Sequence, residues 1–228
     1  MTTCMRYLSV LSICLISATP WAAFARSDEE DARLHVQRAQ VTLSHFMSDS
    51  NMTWVQKNFG RARAVVIVPE IVKFAVLFGG SGGRAVAMAR HPDSGKWVGP
   101  AFYTVSSASV GLQLGVQASE MLILVMTDKG LNSLMATSTK LGGDASVAAG
   151  PVGVGAAADV TADMVAFTRS EGLYGGVNLT GTVIGVNTDW NAAYYYPKIT
   201  PLDILVRFDL NNPQAADLMD AVAKAGAD

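Results

Sequence analysis

Cysteine is close to absent from this sequence. Of 228 residues only Cys4 and Cys14 are cysteines, and both stand within the first 25. From Arg26 onward there is no thiol to build a disulfide, a thiolate metal site or a cysteine nucleophile. Histidine is scarce too. His35, His45 and His91 are the full set, and the first two, ten residues apart on an expected helix, would not share a metal face. Charged residues make up 16% with a formal net charge of −2, a balance that argues against a dedicated nucleic-acid binder. No apolar run reaches the roughly 20 residues of a membrane-spanning helix.

What is present begins with a leader. Arg6 supplies a positive start, Leu8 to Ala18 an apolar stretch, and Ala23-Phe24-Ala25 an A-x-A cleavage pattern before Arg26. The expectation is a signal peptide over residues 1–25 and a single domain over 26–228. That domain is expected to be exported, periplasmic or extracellular, and peripheral to a membrane. Leu11-Ser12-Ile13-Cys14 loosely resembles a lipoprotein processing site, but Ile13 is bulky where a small residue is usual.

The few charges are unevenly spread. Lys57, Arg61, Arg63, Lys73, Arg84, Arg90 and Lys96 fall in one segment with only two acids, Glu70 and Asp93. A local excess of this kind points to an anionic partner.

Ser27-Asp28-Glu29-Glu30 is a capping box, and a helix is predicted from Asp28 to Met47. A short helix over Met52 to Phe59, ended by Gly60, follows. From Ala64 the texture becomes that of strands: "AVVIV", "KFAVLF", "RAVAMAR", "WVGPAFYTV", "SVGLQLGVQ" and "MLILVM". Val110, Leu112, Leu114 and Val116 alternate with Gly111, Gln113, Gly115 and Gln117, the pattern of a half-buried strand. His91 to Gly95 reads as a turn. A helix near Lys129 to Lys140 is expected, then strands in "MVAFTRS" and "VNLTGTVIGV". Thr200-Pro201 and Asn212-Pro213 are helix starts, the second opening a terminal helix through Leu218 and Val222.

Nineteen of the 21 glycines lie between Gly79 and Gly185. Glycine weakens strands, so its concentration implies bends, bulges and close backbone approach. The fold class expected is α+β: a strongly curved, mainly antiparallel, glycine-rich sheet, barrel-like in form, with flanking N- and C-terminal helices.

The stretch "FAVLFGGSGGR" fits two catalytic motifs and satisfies neither. As G-x-S-x-G, Ser81 would need an acid and then a histidine later in the chain, and nothing beyond His91 can close such a triad. As G-x-G-x-x-A, it would need a long helix and an acid about 20 residues on; Pro92 arrives first, and no acid stands between Asp93 and Glu120. A glycine-rich bend or hairpin is expected instead. Asp159 and Asp163 form at most a weak cation pair, with solvated surface the stronger reading. Trp97, Phe102, Tyr103 and Tyr194 to Tyr196 read as packing residues. No catalytic set, metal site or cofactor site emerges.

The order of "VVIVPEIVKFAVLFGGSGGRAVAMAR", "WVGPAFYTV", "SVGLQLGVQASEMLILVM", "LGGDASVAAGPVG", "TRSEGLYGGVNLTG" and "NAAYYYPKITPLDIL" resembles the SYLF, or Ysc84-type, domain over Val65 to Leu205. The resemblance implies a non-enzymatic lipid-binding module. Eukaryotic members bind phosphoinositides and in some cases actin, whereas an exported protein would not meet cytosolic actin. Val154 and Glu171 stand where family members often carry arginine and lysine, while Arg169 and Lys73 keep matching surroundings. The expected partner is an anionic phospholipid surface, with Lys73, Arg84, Arg90 and Arg169 as head-group contacts and Arg61, Arg63 and Lys96 in support. An acyl-ligand carrier and an envelope structural or protein-docking module are the alternatives, and any protein partner stays open.

Overall fold

The first helix starts where the capping box predicts. Ser27 is extended and its side chain accepts from the Glu30 amide at 3.2 Å. In the computed structural model, α1 spans Asp28–Ser48 and α2 spans Thr53–Asn58. The structure describes residues 27–75, 78–110, 115–154, 160–170, 173–176, 179–207, 210 and 212–227. Along α1 the buried residues Ala32, His35, Val36, Ala39, Thr42, Leu43 and Phe46 recur at three and four, so one stripe faces the sheet.

Nine strands among the described residues make one sheet: β1 (Ala64–Ala75), β2 (Phe78–Arg90), β3 (Trp97–Val110), β4 (Gly115–Val125), β5 (Ser138–Lys140), β6 (Val147–Ala149), β7 (Met164–Ser170), β8 (Leu173–Gly176) and β9 (Val183–Val186). Their order is β5-β9-β3-β2-β1-β4-β7-β6, with β8 beside β6 on the outer edge of β7. Among the described residues only the β6–β7 strand pair is parallel. Helices α3 (Asp128–Leu134), α4 (Thr188–Tyr194) and α5 (Ala216–Ala225), with a π-helical turn over Asp203–Arg207, complete the chain.

The connectivity forces the sheet to curl. Laid flat, its edge strands β5 and β6 would stand about 34 Å apart at ~4.8 Å per step. Residues 141–146 alone join them, a span of at most about 25 Å. That link is shorter still because it is turned: Gly142 donates to the Ala145 carbonyl at 2.8 Å, and Leu141 bridges Ala145. Leu141 and Ala145 pack on the face carrying Val66, Ala87, Tyr103 and Ile123, so the half-barrel wraps around that inner face. The outer face, with Val65, Val86, Phe102, Leu122 and Phe167, is covered by α1, α2, α4 and α5. Between Ala64 and Ile71 and along the strand segments paired with them both faces are dry, which is why these strands read as apolar runs rather than clean alternation. The fully buried Phe46 alone represents about 3–5 kcal/mol against truncation to alanine.

Two local devices hold the frame. Strand β9 pairs with β3 only over Val183–Val186, so on that edge the Phe102 amide meets no strand, while its carbonyl accepts from the Asn187 amide at 3.0 Å. The buried Asn191 side chain completes the pairing: its Oδ1 accepts from the Phe102 amide at 2.9 Å and its Nδ2 gives the Phe102 carbonyl a second donor at 3.0 Å. On β1 a bulge near Val68 to Ile71 pushes the Glu70 carbonyl toward β2. A Cβ at Gly83 would collide with that carbonyl oxygen and lie 3.2 Å from Ile71 Cα.

Four expectations need correction. The glycines of "GGSGG" form no bend, because they lie inside β2, paired on both sides, and the β1–β2 connection falls earlier at residues 76–77. The helix expected to reach Lys140 ends at Leu134, since Thr139, 2% exposed, is taken into the strand pair with β9. Residues 110–117 form the end of β3 and the start of β4 instead of one strand, with 111–114 outside the described residues. Asp163 is not solvated surface. It accepts from Thr127 Oγ1 at 2.6 Å, from the Ser146 amide at 2.9 Å and from Ser146 Oγ at 2.7 Å, with Lys129 Nζ at 3.3 Å. These donors hold its carboxyl well below the usual carboxylate range. Asp159 lies outside the described residues.

Candidate functional site

The seven cations of the expected surface divide among three places. Four gather at the end of the half-barrel where β1 starts and β2 ends. Arg61 closes the turn after α2 and donates to Asn58 Oδ1 at 3.0 Å. Arg63 lies 3.1 Å from Asp128, both side chains more than half exposed. Lys96 stands exposed just before β3. Arg90 fastens this end together. Its guanidinium donates to the carbonyls of Gly60 and Gly226 at 3.1 Å and of Gly95 at 3.3 Å, and its centre lies 4.8 Å from the Trp97 ring. Three stretches distant in sequence thus meet around one arginine. Beside it runs a groove of ≈430 Å³ lined by Arg90, Gly95, Lys96, Trp97, Met219 and Ala223, so that two cations stand next to apolar side chains.

Two more cations sit on the outer face. Arg84 follows the parity of Val86 and Met88 and stacks 4.3 Å over the Trp190 ring. Beneath it, His35 donates from Nε2 to the Arg84 carbonyl at 2.9 Å and meets Trp190 edge-on at 5.3 Å. Burial pushes the His35 imidazole down to about 4, with the carbonyl bond opposing and the Arg38 and Arg84 charges adding to the shift. Arg169 on β7 is bonded to Glu120 at 2.8 Å. Glu120 also accepts from His45 Nδ1 at 2.9 Å and Thr42 Oγ1 at 3.3 Å, so the charge of Arg169 serves to tie α1 to the sheet.

Lys73 is alone. It shares the inner-face parity of Ile71 and lies nine residues along β1 from Ala64, about 30 Å from the basic end. Strand alternation and strand length therefore break the charge-rich segment into separate surfaces. Ser81 shares the face of Lys73 and hydrogen-bonds Ser107 at 2.7 Å. His35 and His45 pack on the opposite face and His91 caps the β2–β3 turn, so no imidazole reaches Ser81. Among the described residues no group of three or more histidine, cysteine, aspartate or glutamate side chains could hold a metal.

Comparison with known proteins bears on what this arrangement serves. The profile of the Ysc84 family, described as "Las17-binding protein actin regulator", matches residues 106–225. The chain belongs to the Ysc84 family. It is 29% identical over 168 residues to SH3 domain-containing YSC84-like protein 1 of Bos taurus, covering 71% of this chain and 48% of that protein. It is 31% identical over 152 residues to LAS seventeen-binding protein 3 of Saccharomyces cerevisiae (strain YJM789), covering 64% of this chain and 33% of that protein. The chain spans half or less of the length of these curated relatives. No solved structure matches it.

The Ysc84 match runs from within β3 to the last residue of α5. Of the seven cations only Arg169 lies inside it, and that one is engaged with Glu120. The Ysc84 match thus takes in the half-barrel from the end of β3 onward with α3, α4 and α5, while the four cations of the basic end precede it. Sequence reading missed the Trp190 platform and the Asn191 device, although Asn187, whose side chain accepts from the Trp190 amide at 3.1 Å, is a cap signal three and four residues before them. Val154 is 78% exposed, and Glu171 lies outside the described residues.

Proposed function

We propose that this chain binds anionic phospholipid through its basic end and catalyses no reaction. The observation that carries the reading is a groove in which Arg90 and Lys96 stand beside Trp97, Met219 and Ala223, with Arg61 and Arg63 adding charge at the same end of the half-barrel. A phospholipid presents that pair of chemistries, phosphate at the surface and acyl carbon below. Arg61 and Lys96 are exposed and carry direct contact, Arg63 shares its charge with Asp128, and Arg90 is committed to holding the end together. Near an anionic membrane each exposed cation contributes about 1 kcal/mol, so this set gives weak, salt-sensitive attachment. Arg84, Arg169 and Lys73 face elsewhere and are not part of this surface.

The same reading takes residues 1–25 as an export leader, which would bring the domain to envelope lipid. What the family description says of Las17 and actin would come to this chain only in a cytosol. An acyl carrier would need an open chamber inside the sheet, and between Ala64 and Ile71 the inner face is filled by Tyr103, Met121, Ile123, Ile204 and Leu205. No helix among the described residues is long and apolar enough to cross a membrane.

Vesicle flotation tests the proposal. The protein should float with phosphatidylglycerol vesicles, less so as NaCl rises, and should stay down with phosphatidylcholine alone. Arg61→Gln with Lys96→Gln should weaken binding about 30-fold, the equivalent of two cations. Equal recovery on neutral and acidic vesicles would remove the electrostatic cause.

A further inference from the structure

On the inner face the apolar core stops at one rung and a polar rung follows. Ile71 pairs with Gly83 and Ser119, and Gly83 with Val105. Two residues further along, the register aligns Ser107 of β3, Ser81 of β2, Lys73 of β1 and Gln117 of β4. Residues two apart on a strand share a face, so all four side chains stand on the inner side, and directly opposed neighbours lie about 5 Å apart. Gln117 Nε2 donates to Ser170 Oγ at 2.8 Å, carrying the row onto β7. One ammonium thus stands in the middle of a five-strand polar row.

The donor inventory of that row is unbalanced toward binding an anion. Ser81 and Ser107 share one hydrogen bond at 2.7 Å, which leaves one of their two hydroxyl protons uncommitted. Gln117 uses one amide proton on Ser170 and keeps the other. Lys73 is exposed and makes no ion pair among the described residues, so its three donors are available. The two carboxylates on these strands point the other way: Glu70 lies 4.0 Å from Arg38 of α1, and Glu120 is held by Thr42 and His45 of α1. Five donors, three of them on the Lys73 ammonium, face solvent with no acid among the described residues of these strands to quench them.

We propose that Lys73, Ser81, Ser107 and Gln117 form a phosphate-binding site on the inner face, separate from the basic end. Its ligand class is a phosphate monoester, whose oxygens take charge-assisted bonds from Lys73 and neutral bonds from the hydroxyl and amide. A lipid head group and a soluble phosphate ester share that chemistry. Nothing in the site requires the basic end to bind lipid, so the two proposals can fail independently.

The test is a titration of the isotopically labelled protein with inorganic phosphate against chloride at matched ionic strength, followed by amide chemical shifts. Saturable shifts at Lys73, Ser81 and Gln117 are expected. Lys73→Gln and Ser81→Ala should each weaken them, Lys73→Gln by about tenfold or more, while Arg61→Gln with Lys96→Gln leaves them in place. Unchanged melting of the variants separates lost binding from lost fold, and the serine variant keeps the test decisive if the lysine variant misfolds. Binding to vesicles containing phosphatidic acid then assigns the source. A loss in Lys73→Gln identifies a lipid head group, and an unchanged value alongside lost phosphate shifts identifies a soluble ester. Shifts that stay linear in phosphate, or persist equally in both variants, overturn the site.

Discussion

Acidification should destabilise this fold through one buried imidazole. His35 is 8% exposed, donates to the Arg84 carbonyl and packs against Trp190, so it is neutral in the folded state. Its value is pushed from 6.5 in a free chain down to about 4 in the fold. Protons therefore bind the unfolded chain first. The stability that neutral His35 contributes is complete above pH 6.5, is lost as pH falls from 6.5 toward 4, and changes little below that. At 1.36 kcal/mol per unit, moving from pH 7 to about 4.5 costs on the order of 2–3 kcal/mol. Little discount for solvent is needed at so buried a group. Urea unfolding of the wild type and of His35→Gln at both pH values isolates the effect, because titrations elsewhere are common to the two proteins. The wild type should lose about 2–3 kcal/mol more than the variant on acidification. Equal losses would refute the view that His35 is buried neutral beneath Arg84.

Three further outcomes follow from the frame. Asn191→Leu leaves the Phe102 amide without an acceptor in a dry interior, while the carbonyl keeps the Asn187 amide, and should cost about 1–3 kcal/mol in denaturant melts with little change in m-value. Asp163→Asn weakens the junction of Thr127, Ser146 and Lys129 and should cost about 1–3 kcal/mol at pH 7. Because the folded value of Asp163 lies below its free value, its contribution persists down to about pH 3.8 and is lost only below, a window distinct from that of His35. Gly83→Ala places a methyl against the Glu70 carbonyl and should cost about 1–3 kcal/mol, read as a fall in melting temperature, whereas Ser94→Ala in the exposed turn should not.

The backbone plan was largely legible in the sequence, and the errors have local causes. The capping serine, the strand-like runs and the clustered glycines led to a curved, mainly antiparallel sheet with helices at both ends. The β1–β2 connection was misplaced because "FAVLF" holds no turn residue, whereas "GGSGG" looks like a turn and is required as strand by the bulge opposite Gly83. The α3 boundary slipped because Ser138 to Lys140 gains β9 as a partner, a long-range fact that local pattern cannot hold. The cations fared worse. Their proximity along the chain says nothing of which sheet face or which end each occupies, and a strand of twelve residues separates its termini by more than 30 Å. Conversely, the row through Ser107, Ser81, Lys73 and Gln117 draws on four strands and becomes visible only with the register.

The absence of cysteine after residue 25 makes the central claim directly measurable. A single cysteine at Ser94, in the turn beside Lys96, and another at Leu173, 77% exposed on β8, can each carry an environment-sensitive fluorophore. With acidic vesicles the Ser94 label should become shielded from an aqueous quencher while the Leu173 label stays accessible. Shielding at Leu173 with Ser94 left in water would contradict a lipid-facing basic end.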